Sequence, residues 1–115
     1  MKEVQWCGDS REVIRQWPAA VRATIGADLR RLQNGEKPRD WKSFPGLIVN
    51  AFELRDTDAT GAYRAIYVTV IKGRMAVLHC FKKTSAKTES SAVNFANKRL
   101  KKLLADSQQF KAMKG

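Results

Sequence analysis

The chain is poor in the residues that most small metalloenzymes and secreted domains rely on. It has one histidine, His79, and two cysteines, Cys7 and Cys80, far apart in the sequence. A lone imidazole and two distant thiols make a poor ligand set for zinc, and neither a metal nor a redox spacing is present. We therefore expect no metal and no cofactor, and two reduced thiols within predicted strands. The start, MKEVQWCGDS, lacks the apolar core of a signal peptide, and no apolar run approaches a membrane span. A cytoplasmic protein without a membrane partner is the expectation. Acidic residues are also scarce: 11 Asp and Glu stand against 22 Lys and Arg, a formal net charge of +11.

A charge excess of this size creates a field that draws in polyanions. Nucleic acid is the first candidate partner and an acidic protein the second. A basic surface with no polyanion to meet is the plain alternative. The 115 residues suffice for one domain with a core, and a hydrophobic fraction of 43% argues against disorder. No repeat or low-complexity segment divides the chain, so residues 1–115 read as a single domain, with 108–115 as a flexible tail.

Three strands are predicted over residues 47–54, 62–71 and 74–81, rich in Val, Ile, Tyr and Phe. Lys72-Gly73 has hairpin length. Residues 56–61 form a polar loop ending in Gly. Residues 2–7 make a further short strand. Helices are predicted over 11–17, 19–33 and 89–105. Pro18 separates the first two, Asn34-Gly35 stops the second, and Thr88 or Ser90 caps the third. Residues 36–46 read as a basic loop pinned by Trp41 and Phe44. The order is β-α-α-β-β-β-α, an α+β fold with a helical hairpin over one face of the sheet.

Counting back from Lys72-Gly73 sets Arg64 opposite Phe81 and Tyr63 opposite Lys82. Closing the other loop with Arg55 opposite Ala62 sets Glu53 opposite Arg64. Alternation then gives one dry face, with Phe52, Leu54, Tyr63, Ala65, Tyr67, Leu78 and Cys80. The other face carries Ile66, Val68, Val77 and Phe81, but also Glu53, Arg55, Arg64, His79 and Lys83, most of them gathered at one end. A slip of one residue would exchange the faces.

The residues resemble a known family. ELR at Glu53 to Arg55, G-x-Y-R at Gly61 to Arg64, Tyr67, and LHCFKKT from Leu78 occur in an order similar to the phage-derived, HigB-like branch of the RelE toxin superfamily. The likeness extends to W-x-G-D-S near the start, W-P before the second helix, L-x-x-L-Q-N-G at its end and A-x-x-R at Ala96 to Arg99. It departs at TESSA, where relatives commonly place a proline. The resemblance implies the toxin of a type II toxin–antitoxin pair that cleaves mRNA, usually at the ribosome. It also implies a helix-turn-helix, HigA-like antitoxin as partner.

RNA cleavage without a metal uses the substrate's own 2′-hydroxyl. It needs a proton acceptor, a proton donor and cations for the extra charge on phosphorus. Arg64, then Arg55, are the candidate clamps on the scissile phosphate, because a guanidinium fork matches phosphate oxygens. Alternatively, Arg64 forms a cross-strand pair with Glu53, and Arg55 is a solvated strand-end charge. Lys83, with Lys82 as alternate, is the candidate for proton transfer or phosphate binding; both also read as simple exposed lysines. His79 has the reference pKa of a base but faces Ile66, as a packed strand residue would. Lys37, Arg39, Lys42, Lys87 and Arg99 are further candidate RNA contacts.

Overall fold

A computed structural model describes residues 1–69 and 72–114, without the side chains of 86, 87 and 107–114. The elements are β1 (Glu3–Trp6), α1 (Ser10–Arg15), α2 (Ala19–Gln33), β2 (Trp41–Phe44), β3 (Ala51–Asp58), β4 (Gly61–Val68), β5 (Arg74–Lys83) and α3 (Ala86–Lys114). They form one five-stranded sheet in the order β1-β5-β4-β3-β2. All neighbouring strands are antiparallel except β1 and β5. That parallel pair needs the long crossover that the rest of the chain supplies.

The helical hairpin covers the face expected to be dry. Ile14, Trp17, Val21, Ile25 and Leu29 pack on Leu54, Tyr63, Ala65, Tyr67 and Cys80. Each fully buried aliphatic side chain of this kind contributes about 1.5–3 kcal/mol relative to exposure. α2 stops where Asn34-Gly35 predicts. Gly35 takes φ +77°, its N–H bonds Leu32 O and that of Glu36 bonds Arg31 O, the paired closure of a Schellman motif.

Four expectations are corrected. Residues 41–44 lie in an edge strand rather than a loop, because they pair antiparallel with Ala51–Leu54 of β3 although their sequence shows no alternation. The β3–β4 connection is a two-residue turn, Ala59-Thr60, with Asp58 opposite Gly61. Asp58 Oδ1 accepts from the Thr60 N–H at 2.8 Å and from its hydroxyl at 2.6 Å, so the polar residues close a turn and extend the strands. The register therefore moves by two: Arg55, not Glu53, faces Arg64. A shift of two preserves the faces.

The third correction lies in β5. Its pairing with β4 follows the expected register from Lys83 back to His79, then breaks between Ile66 and Tyr67. This irregularity sends Val77 to the hairpin face and Leu78 to the opposite one. The fourth concerns α3, which runs over Ala86–Lys114 rather than 89–105. Val70 and Ile71, assigned to the second strand, lie outside the described residues.

α3 lies over the second face. Ala92, Ala96, Leu100 and Leu103 bury against Ile66, Val68, Ala76, Leu78 and Phe81. The polar end of that face lies beside the first turns of α3.

Candidate functional site

Glu53, Arg55, Arg64 and Lys83 project from three adjacent strands onto the α3 face. Arg55 and Arg64 are direct Cα partners on β3 and β4. Lys83 pairs with Ala62, one same-face step beyond Arg64, and Lys42 on β2 is the partner of Glu53. Like charges placed directly opposite repel. Here Glu53 relieves the repulsion: Nε of Arg55 and Nε of Arg64 each lie 3.7 Å from its Oε1.

The pair is not a surface ion pair. Glu53 retains 6% exposure and Arg64 5%. Arg64 is therefore not an exposed charge at the rim of the sheet. Its Nη1 donates to Tyr63 O at 3.0 Å. Burial raises the Glu53 carboxyl above its usual range, while Arg64, Arg55 and Lys42 pull it back and Glu89 adds to the rise. Nε of Arg55 and Nε of Arg64 are both buried without a hydrogen-bond partner. Both Nε atoms are buried beside Glu53, so a further anion would meet the exposed parts of Lys42, Arg55 and Lys83 instead.

Arg55 keeps a third of its side chain exposed, and Lys83 slightly more. Lys83 Nζ is 3.1 Å from Glu89 Oε1 in the first turn of α3. Lys82 lies on the other face, with Nζ 5.9 Å from the centre of the Tyr63 ring. Arg55, Arg64 and Lys42 thus gather about Glu53, Lys83 lies on the same face beside Glu89, and Lys82 does not join them.

His79 stands apart, paired with Ile66. Its Nδ1 lies 3.0 Å from Arg99 Nη1, and burial and Arg99 push its pKa down to about 4. The ring is neutral at physiological pH and stacks between Phe81 at 5.5 Å and Phe95 at 5.0 Å. Arg99 also donates to Leu78 O at 3.0 Å and to Asp9 at 2.8 Å. Gly8 takes φ +55° beside it, with no room for a Cβ next to the guanidinium.

Among the other expected RNA contacts, Arg39 has a different occupation. Its N–H donates to Asp28 at 2.8 Å and its Nη2 to Arg55 O at 2.8 Å, tying the 34–40 connection to α2 and β3. Asp28 is fully buried and also pairs with Arg31 at 2.7 Å. Lys37 is exposed in that connection. The side chain of Lys87 lies outside the described residues. Sequence reasoning missed the sharing of Glu53 between two arginines. The signal was present in E-x-R on one strand, since residues two apart share a face.

The architecture is that of a RelE-like protein. The crystal structure of the isolated E. coli RelE toxin superposes with a TM-score of 0.56, at 18% identity, covering 82% of this chain and 97% of that one. The family follows from the sequence: the model "Phage derived protein Gp49-like (DUF891)" matches residues 12–101, and the chain belongs to that family. Among curated proteins the sequence has no match. No helix among the described residues is long and apolar enough to cross a membrane.

Proposed function

We propose that the chain is the toxin of a type II toxin–antitoxin pair and an mRNA endoribonuclease acting at the ribosome in the cytoplasm. A helix-turn-helix, HigA-like antitoxin is its neutralising partner. The observation that carries this reading is the pairing of Arg55 and Arg64 across β3 and β4 on the buried Glu53, with Lys42 opposite Glu53 and the partly exposed Arg55 and Lys83 on the same face.

In the proposed reaction the 2′-oxygen attacks the adjacent phosphorus. The bond from phosphorus to the 5′-oxygen breaks, leaving a 2′,3′-cyclic phosphate and a 5′-hydroxyl. The proton lost from the 2′-hydroxyl must be accepted, and one must reach the departing oxygen. The reaction as proposed needs no metal, because the arginines carry the added charge. Arg55 meets the phosphate directly. Arg64 supplies its charge from beneath and holds Glu53. Lys83 binds the phosphate or moves the proton.

One observation favours a second reading. Arg64 is sealed against Glu53, as a structural ion pair would be, and this suits a basic RNA- or ribosome-binding module without catalysis. Induction of wild type, Arg55→Ala and Lys83→Ala in a bacterium, with mRNA 5′ ends mapped, separates the two. Growth arrest with cuts inside translated codons, lost in the variants, is expected for the nuclease. Ribosome association with no new 5′ ends establishes the module instead.

A further inference from the structure

The ring of Phe95 is half exposed on α3. Phe81, His79 and Phe95 form a ladder, with interplanar angles of 15° and 18° and centroid steps of 5.5 and 5.0 Å. The ladder begins at the cation cluster, because Phe81 is the direct strand partner of Arg64. It ends at Phe95, with the guanidinium carbon of Arg99 5.6 Å from that ring. Arg99 is held there by Asp9, Leu78 O and His79 Nδ1, so it is a fixed positive neighbour.

We propose that Phe95, backed by His79 and flanked by Arg99, is a stacking platform for one base of the single-stranded RNA whose phosphate sits at Arg55 and Lys83. The proposal rests on the RNA reading above and deepens it. A single-stranded base offers a π-face to any aromatic ring, and this contact is tolerant of sequence. Two ring steps of 5.5 and 5.0 Å take the platform away from Phe81 by a span that an adjoining nucleotide covers. The inner ring stays neutral, since burial and Arg99 oppose its protonation, and the ladder keeps its apolar character. Arg99 attracts the attached backbone. The fold supports the arrangement on rigid elements, β5 and α3, rather than on loops.

The test uses a fluorescein-labelled, 2′-O-methylated RNA pentanucleotide, which cannot be cleaved, and a set of the same oligomers with one abasic position each. Wild type is compared with Phe95→Ala and Phe95→Trp, all checked for folding by circular dichroism. The expected result is a loss of affinity of about tenfold in Phe95→Ala, recovery in Phe95→Trp, and no difference between wild type and Phe95→Ala on one of the abasic oligomers. Equal affinity of wild type and Phe95→Ala for the intact oligomer overturns the platform and leaves the RNA reading standing. An equal loss on every abasic oligomer also overturns it, because the ring then acts without a base. No binding by wild type at any concentration overturns the platform, and the mapped 5′ ends then decide the RNA reading.

Discussion

Arg55 and Arg64 sit directly across from one another on β3 and β4 and reach the same carboxylate oxygen of Glu53, each at 3.7 Å. Their exposures differ sharply: the Arg55 side chain is one third exposed and that of Arg64 is 6% exposed. Two guanidinium groups with one counter-ion therefore carry different energetic burdens.

Removing Arg64 leaves Glu53 buried with one fewer cation, whereas removing Arg55 mostly opens a partly solvated position. Breaking a buried pair from one side costs about 3–5 kcal/mol, and a partly exposed pair about 1 kcal/mol or less. Arg64→Ala is expected to lower the urea midpoint strongly, and Arg55→Ala only slightly. Both are expected to abolish RNA cleavage. Equal stability costs in the two variants would falsify the burial argument.

Glu53 also gives stability a pH dependence of definite sign. Its folded-state pKa lies above the unfolded value because burial penalises the charged form. Between the two values the folded chain binds more protons, so this group's contribution becomes less favourable as pH rises through that acidic window. In Glu53→Gln the slope from this group disappears. Urea titrations from pH 4 to 7 are expected to show wild type losing ground against Glu53→Gln as pH increases. An unchanged difference across that range would rule out a raised carboxyl.

His79 acts in the opposite direction. Its folded-state pKa is pushed down to about 4, below the ordinary value of 6.5. Its contribution is fully present above 6.5 and is lost as pH falls towards 4, where the unfolded chain takes up the proton first. The imidazole carbon-bound protons in NMR are expected to show no titration between pH 5.5 and 8. A midpoint near 6.5 would mean that the ring is solvated rather than stacked between Phe81 and Phe95.

Binding to a non-cleavable RNA should weaken steeply with salt, since each neutralised phosphate releases counterions. Lys83→Ala is expected to reduce the slope of log K against log salt by about 1, and Lys82→Ala to leave it nearly unchanged. The two lysines are adjacent in sequence but lie on opposite faces, Lys82 over Tyr63 and Lys83 beside Glu89. The same slope change for both would place them on one RNA-facing surface.

The hairpin of α1 and α2 was legible because Val21, Ile25 and Leu29 recur with helical spacing and Asn34-Gly35 carries the stop signal. The faces of β3 and β4 were legible for a related reason, since alternation survives a register error of two. The pairing itself was not legible. Asp56, Thr57 and Asp58 look like a loop, and only the turn bonds from Thr60 to Asp58 show the strand continuing through them. β2 was hidden because Trp41, Lys42, Ser43 and Phe44 do not alternate between polar and apolar and are followed by Pro45 and Gly46, and an edge strand needs its partner to reveal it. The break opposite Ile66 and Tyr67 exchanged Val77 and Leu78, and no sequence period announces a bulge of that kind.

What the sequence determined by itself is composition and local periodicity: the charge excess, which residues of β3 and β4 share a face, where α2 stops, and the set of motifs that placed the chain near its family. Those follow from interactions between residues close together in the chain, whose geometry repeats every two or every 3.6 positions. The tertiary structure decided which charge is buried. Arg64 and Glu53 are buried, while Arg55 and Lys83 keep about a third of their side chains exposed. Burial depends on elements far apart in sequence meeting at one place, and no local pattern carries that information.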